Sequence, residues 1–427
     1  MDRDACILTS NDCCETKATL TVFYLDTVET SVDRDGRDIS TMFKPFKLSV
    51  DDAVLLDLKE RLSKTRWPDQ LRSPSNDGWL YGTELTYIKK LALYWENEFD
   101  WRKNEAKFNA IGPQFLTTTK DGRRLHFVHH KSTYSDAKPL LISHGWPGSV
   151  YEFVKIIPML TDKFHIVAPS IPGYFYSEPF HERGGDTRAT AFDFHNLMQQ
   201  LGYHKYFVQG GDWGAIIVKE MAIQYPDNVM ALHTNMPVGN PPENFDPKLL
   251  SPTEIKGLEN MQQFRKFGTA YQQIQGQKPQ TLSYALNDSP IGLLAWIAEK
   301  FHAWTYDNMK FVSNDEILTN VMLYWVSNCI GSSIRFYFEN GTGDPPMPGT
   351  SKISGGKVTV PCACVHFPGE LYQLPISWLK HNYNMIRYNR FSEGGHFAAL
   401  ETPETMANDM KQFFCVDYPE YTRKSKL

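Results

Sequence analysis

The chain has 427 residues, of which 41% are hydrophobic and 22% charged, with a formal net charge of −5. That mild acidity excludes binding driven by bulk positive charge, so neither nucleic acid nor an anionic membrane surface is expected as a partner. The seven cysteines (Cys6, Cys13, Cys14, Cys329, Cys362, Cys364 and Cys415) are odd in number and irregular in spacing, which argues against a disulfide framework. Cys362-Ala363-Cys364 has no second pair nearby to close a metal site and reads as buried strand.

Residues 1–42 form a polar, acidic leader without the basic start and apolar run of a signal peptide. No stretch is long and apolar enough to span a bilayer. Residues 43–113 read as an N-terminal helical collar. Val50 to Arg66 carries Val54, Leu55, Leu58 and Leu62 at helical spacing, with Asp51 and Asp52 in the first turn and Trp67-Pro68 as a stop. Tyr87 to Trp95 continues a second helix.

From Gln114 the pattern changes. Arg124 to His130, Leu140 to Ser143, Phe164 to Ala168, Tyr206 to Gln209 and Val229 to Thr234 read as strands. Helices are expected between them over Val150 to Leu160, Arg188 to Leu201 and Ala215 to Tyr225. Such alternation calls for an α/β fold, a mostly parallel sheet covered by helices on both faces. Residues 114–238 are the first part of that core and 239–351 an inserted, aromatic helical lid. Residues 352–427 are the second part, with strands over Val358 to Phe367 and Met385 to Phe391. Aromatics make up 13% of the chain, which suits a deep apolar cavity and equally a plain aromatic core.

Gly210-Gly211-Asp212-Trp213-Gly214 follows an apolar strand and opens a helix. Small residues flanking a nucleophile at that place permit a sharp turn that projects one side chain over the sheet edge. Here that side chain is a carboxylate, Asp212, and its simpler reading is a helix N-cap. The Trp213 N–H behind it faces an oxyanion position. His144-Gly145-Trp146-Pro147-Gly148 follows another strand, where a loop supplies the second oxyanion donor, assigned to Trp146 N–H. His396, between Gly395 and Phe397 late in the chain, stands where the order nucleophile, acid, histidine places the base. His129, His130, His195 and His381 read as structural. Glu370 follows the penultimate strand and can orient the imidazole; Asp344 is the weaker candidate, and Glu393 and Glu401 read as surface residues.

These motifs together resemble the microsomal epoxide hydrolase family, an α/β-hydrolase fold. The resemblance runs from about Phe43 to Phe414. It includes Phe99-Asp100-Trp101, His144 to Ser149, Pro169 to Tyr174, Gly210 to Gly214 and Ala285 to Pro290. It implies that Asp212 opens an epoxide to give an ester, which water activated by His396 hydrolyses to a vicinal diol. It also implies that Tyr271 and Tyr337 donate to the epoxide oxygen, although nothing in their spacing singles them out from the 21 tyrosines. No metal or organic cofactor is expected. The family usually has Gly where this chain has Phe175, a bulky residue at a tight turn.

The rival readings are a haloalkane dehalogenase, which shares the Asp nucleophile but leaves the tyrosines idle, and a binding or cyclisation-guiding protein without turnover. An esterase would need Ser at position 212. The last residues, Ser425-Lys426-Leu427, read as a peroxisomal import address; without it the location expected is cytoplasmic. The partners this implies are an apolar epoxide, water and an import receptor, and a homodimer is compatible with them.

Overall fold

The computed structural model describes residues 42–71, 78–347 and 355–425. The leader apart from Met42, with Cys6, Cys13 and Cys14, lies outside the described residues, as do Lys426, Leu427 and the lid boundary at 351.

Nine strands form one sheet: β1 (Lys44–Phe46), β2 (Gln114–Thr118), β3 (Arg124–His130), β4 (Lys138–Ser143), β5 (Phe164–Pro169), β6 (Tyr206–Gly210), β7 (Val229–Thr234), β8 (Val358–His366) and β9 (Tyr383–Arg390). Their spatial order is β1-β2-β3-β5-β4-β6-β7-β8-β9. β1, β2 and β3 pair antiparallel, as does β3 with β5; every later pairing is parallel. The central parallel strands β4 and β6 are buried on both faces, which is why Leu140 to Ile142 and Tyr206 to Val208 read as continuous apolar runs rather than alternation. β1 and β2 escape the sequence pattern because β1 is three residues with an exposed Lys44-Pro45 and β2 is polar at Gln114, Thr117 and Thr118.

The collar contains α1 (Asp52–Ser63), α2 (Leu85–Asn97) and α3 (Trp101–Asn109). Each starts after an acidic residue whose side chain accepts from the first turn: Asp51, Glu84 and Asp100. The third helix was not expected. Its buried face is Trp101, Asn104, Glu105 and Phe108, half of it polar, so no apolar stripe marks it. Glu105 accepts from the Val50 N–H outside the helix at 2.7 Å and from Arg102 within it at 2.9 Å.

The helix expected over Val150 to Leu160 is instead a 3₁₀ turn, Val150–Phe153, followed by the short α4 (Ile157–Leu160). Pro158 has no N–H to give Val154, so a continuous helix would lack that bond. α5 (Thr187–Gln200) and α6 (Asp212–Gln224) pack on each other beside the sheet. Between β7 and β8 lie α7 (Pro252–Gln263), α8 (Ala270–Gln277), α9 (Pro279–Asp288), α10 (Pro290–Trp304), α11 (Asn314–Ser327) and α12 (Ile330–Glu339). α7, α9 and α10 each open with Pro, whose missing N–H costs nothing in a first turn. α8 and α9 pack against α12, and α10 touches the collar helices α1 and α2. The chain closes with α13 (Ile376–Asn382), α14 (Ala398–Glu401), α15 (Pro403–Gln412) and α16 (Tyr418–Lys424). Among the described residues no helix is long and apolar enough to cross a membrane.

Phe175 adopts a left-handed backbone with φ of 50°, a conformation that glycine takes without strain. Its buried ring is held by Phe108 at 5.2 Å and His126 at 4.9 Å between centroids.

Candidate active site

Strand register brings the first two motifs together. Ser143 at the end of β4 pairs with Gly210 at the end of β6, so their following loops leave the sheet side by side. Ligand sites in such sheets form at the carboxyl ends of the strands. Asp212 heads α6 with φ of 49°, a strained non-glycine conformation of the kind that costs about 1–3 kcal/mol. The turn closes only with small neighbours: a Cβ on Gly214 would lie 2.1 Å from the Ser143 carbonyl oxygen. From the adjacent loop, Trp146 N–H donates to Asp212 Oδ1 at 2.7 Å. Gly145 must also lack a side chain, because a Cβ there would meet the same oxygen at 2.2 Å.

The other two residues arrive from the far strands. Glu370 follows β8 and His396 follows β9, and a bridge between Gly369 and Gly395 holds the two loops together. His396 Nδ1 lies 2.9 Å from Glu370 Oε1, and its Nε2 lies 3.3 Å from Asp212 Oδ2. Leu371 N–H also donates to Glu370 Oε1, at 2.7 Å. The side chains of His396 and Glu370 are 2% and 0% exposed against 18% for Asp212, so the carboxylate of Asp212 is the open end of the line. Burial opposes charge on the imidazole, but Glu370 and Asp212 outweigh it and raise the His396 pKa well above its ordinary value.

Glu401 is not a surface residue. It is buried, accepts from Tyr306 N–H at 2.7 Å and Phe397 N–H at 3.1 Å, and so ties α14 to the His396 loop. Burial pushes its carboxyl up to about 7. Glu393 is exposed and faces Lys310 at 3.8 Å. Asp344 is also exposed, and its N–H donates to Gln273 in α8, on the lid and away from the imidazole.

Tyr271 on α8 and Tyr337 on α12 are both buried, with ring centroids 5.8 Å apart. Trp146 stacks on Tyr271 at 5.4 Å and meets Tyr337 edge-on at 5.6 Å; Trp213 meets Tyr337 at 4.9 Å. Burial, reinforced by the Asp212 charge, raises both phenols well above their ordinary pKa, so they stay protonated donors. Asp212 and both tyrosines line one cavity of about 300 Å³.

Comparison with known proteins places this geometry. Residues 43–153 match the family described as epoxide hydrolase N terminus, and residues 138–325 match the α/β hydrolase fold. Epoxide hydrolase 1 of Sus scrofa is 39% identical over 411 residues, covering 87% of this chain and 88% of that protein. The chain belongs to the epoxide hydrolase family. Among solved structures, the Aspergillus niger epoxide hydrolase superposes with a TM-score of 0.78 at 32% identity, covering 87% of this chain and 95% of its own. The juvenile hormone epoxide hydrolase of the silkworm Bombyx mori gives 0.79 at 31% identity, covering 91% and 97%.

In this epoxide hydrolase the cavity wall is mainly apolar: Trp213, Ile216, Met236, Phe264, Leu371 and Leu374. Lys300 and Glu152, two ionisable side chains beside the site, carry no mark in periodicity or motif order. Lys300 of α10 is buried with its Nζ 4.2 Å from the Tyr271 ring centroid. Glu152 lies in the 3₁₀ turn that follows the Trp146 loop; only its place in that run signals it.

Proposed function

We propose that this member of the epoxide hydrolase family converts an apolar epoxide to a vicinal diol through an ester on Asp212. The observation that carries the reading is the unbroken line Glu370–His396–Asp212, with two buried phenols lining the cavity into which Asp212 opens. A carboxylate oxygen of Asp212 forms a bond to one ring carbon, and the carbon–oxygen bond of the strained ring breaks. The departing oxygen takes a proton from Tyr271 or Tyr337, and no metal or organic cofactor is required. Water then gives a proton to His396 Nε2 and attacks Cγ of the ester. Trp146 N–H and Trp213 N–H hold the tetrahedral oxyanion. Collapse breaks the ester bond to the substrate oxygen, which takes the proton from His396. Asp212 is left as a carboxylic acid, and its proton returns to the one tyrosinate, which restores the phenol and the carboxylate.

A single turnover in heavy-oxygen water tests this. With excess enzyme, the first diol carries unlabelled oxygen and the label enters Asp212. A labelled first diol means direct hydration and overturns the ester.

Two further readings belong to the same proposal. Ser425-Lys426-Leu427 directs peroxisomal import through its receptor, and deleting it redistributes the protein to the cytoplasm. The working unit is a homodimer, which sedimentation would show by its mass.

A further inference from the structure

Behind Asp212, on the side away from the lid, is a second and much smaller cavity of about 10 Å³, room for about one water. Its walls include Asp212, His396, Glu152, Gln209 and Asn235. Gln209 Nε2 donates to Asn235 Oδ1 at 3.0 Å, which ties those two side chains to each other. Among the described residues Glu152 makes no ion pair, and the loop over it sets its place. A Cβ on Gly148 would fall 1.5 Å from Glu152 Oε1, so the carboxyl occupies the space that glycine leaves. The backbone N–H groups of Gly145 and Ser149 also interact favourably with it. Burial pushes this carboxyl up to about 8, with the Asp212 charge adding and His396 opposing, so it is largely uncharged at neutral pH.

A water that attacks an ester carbon needs both protons directed elsewhere, so that a lone pair faces the carbon. His396 Nε2 takes one. We propose that Glu152 is the positioning residue that accepts the other, holding the hydrolytic water in the small cavity against the Asp212 ester. The inference rests on the ester mechanism proposed above. It assigns the two cavities to the two reactants: epoxide enters beneath the lid, water waits behind the nucleophile.

The test separates the two half-reactions with a chromogenic aryl epoxide, rapid quench and intact-protein mass spectrometry. Glu152→Leu keeps the bulk and removes the acceptor. Ester formation is expected to stay within about threefold of the parent, while ester hydrolysis slows about tenfold or more, so enzyme plus epoxide mass accumulates. Glu152→Gln retains an acceptor oxygen and restores most of the hydrolysis rate. Glu152→Ala, which only removes atoms, gives the same split if leucine unsettles the loop. Equal slowing of both steps would mean that Glu152 merely braces the Trp146 loop and would overturn the proposal; so would unchanged hydrolysis. His396→Gln is the control for the parent mechanism. Failure of that variant to trap any ester removes the ester itself and Glu152's assigned role with it, whereas trapped ester with fast hydrolysis in Glu152→Leu removes the role alone.

Discussion

Replacing Glu370 by Gln removes one charge from the site and little else. The amide oxygen can stay where Oε1 now accepts from Leu371 N–H at 2.7 Å and contacts His396 Nδ1 at 2.9 Å. The amide nitrogen then takes the place of Oε2, a buried atom without a hydrogen-bond partner, and becomes an unsatisfied donor there. What the water step loses is a charge-assisted hydrogen bond to the imidazolium, worth about 1.5–3 kcal/mol. At about 1.4 kcal/mol per tenfold, ester hydrolysis slows roughly 10- to 150-fold. Ester formation does not use the base and is expected to change by less than about threefold. Stopped-flow fluorescence reads both phases, because Trp146 and Trp304 flank the site, with Trp304 5.1 Å from the His396 ring. The slow second phase must coincide with accumulated ester. A variant that slows both phases equally, or neither, would refute the division of labour between Asp212 and the His396–Glu370 pair.

Tyr271→Phe and Tyr337→Phe should each slow ester formation roughly 10- to 100-fold and leave ester hydrolysis unchanged, because each removes one donor to the oxygen that gains charge; the burst rate reads this directly. Phe175→Gly should lower the melting temperature, because relieving left-handed strain returns about 1–2 kcal/mol while losing a buried Phe costs about 3–5 kcal/mol. A stabilised variant would show that the ring's contacts with Phe108 and His126 count for little. Acid stability should depend on Asp409. Burial opposes its charge, but His233 and Arg387 hold its pKa below the ordinary carboxylate value. A depressed folded pKa supplies stability above the unfolded value near about 4 and loses it as pH falls toward the folded one. Asp409→Asn should therefore flatten the acid limb of a pH–stability curve, and an unchanged limb would count against that network.

The nucleophile turn was legible because its geometry is enforced by absent side chains: Gly210 and Gly214 are visible in the sequence, and the strand that leads to them opens with the apolar run Tyr206-Phe207-Val208. Chain order pointed to Glu370 and His396, and the bridge at Gly369 and Gly395 explains how two loops so placed can meet. Tyr271 and Tyr337 were legible only through family resemblance, since a tyrosine lining a cavity and one packed in a core leave the same local pattern. Glu401 was misread because its burial depends on partners that local pattern cannot supply: one hydrogen bond comes from Tyr306, in the loop after α10. The missed α3 fails for a related reason. Half its hidden face is polar, and Glu105 is accommodated inside by Arg102 of the same helix together with the Val50 N–H brought to it from outside. Pro158 is visible in the sequence, yet Val150 to Leu160 reads there as one helix, and the break appears only in the structure.

Charge in the site links the two half-reactions on the proposed mechanism. With Asp212 ionised, two carboxylates flank His396 and raise its pKa above the ordinary range, which disfavours the neutral, basic form of the imidazole before the ester forms. Esterification cancels the Asp212 charge and leaves Glu370 alone to support the imidazolium. The His396 pKa then falls, and the base becomes available at the step that needs it. The same loss of charge acts on the lid, where Asp212 is among the causes that hold the Tyr271 and Tyr337 protons in place. As negative charge moves from Asp212 to the epoxide oxygen, the phenols become better acids where a proton is required. The pH at which ester hydrolysis reaches half its maximum must therefore lie below the pH at which His396 titrates in the free enzyme; the reverse order, measured by imidazole NMR against the single-turnover profile, would mean that Asp212 does not control the base.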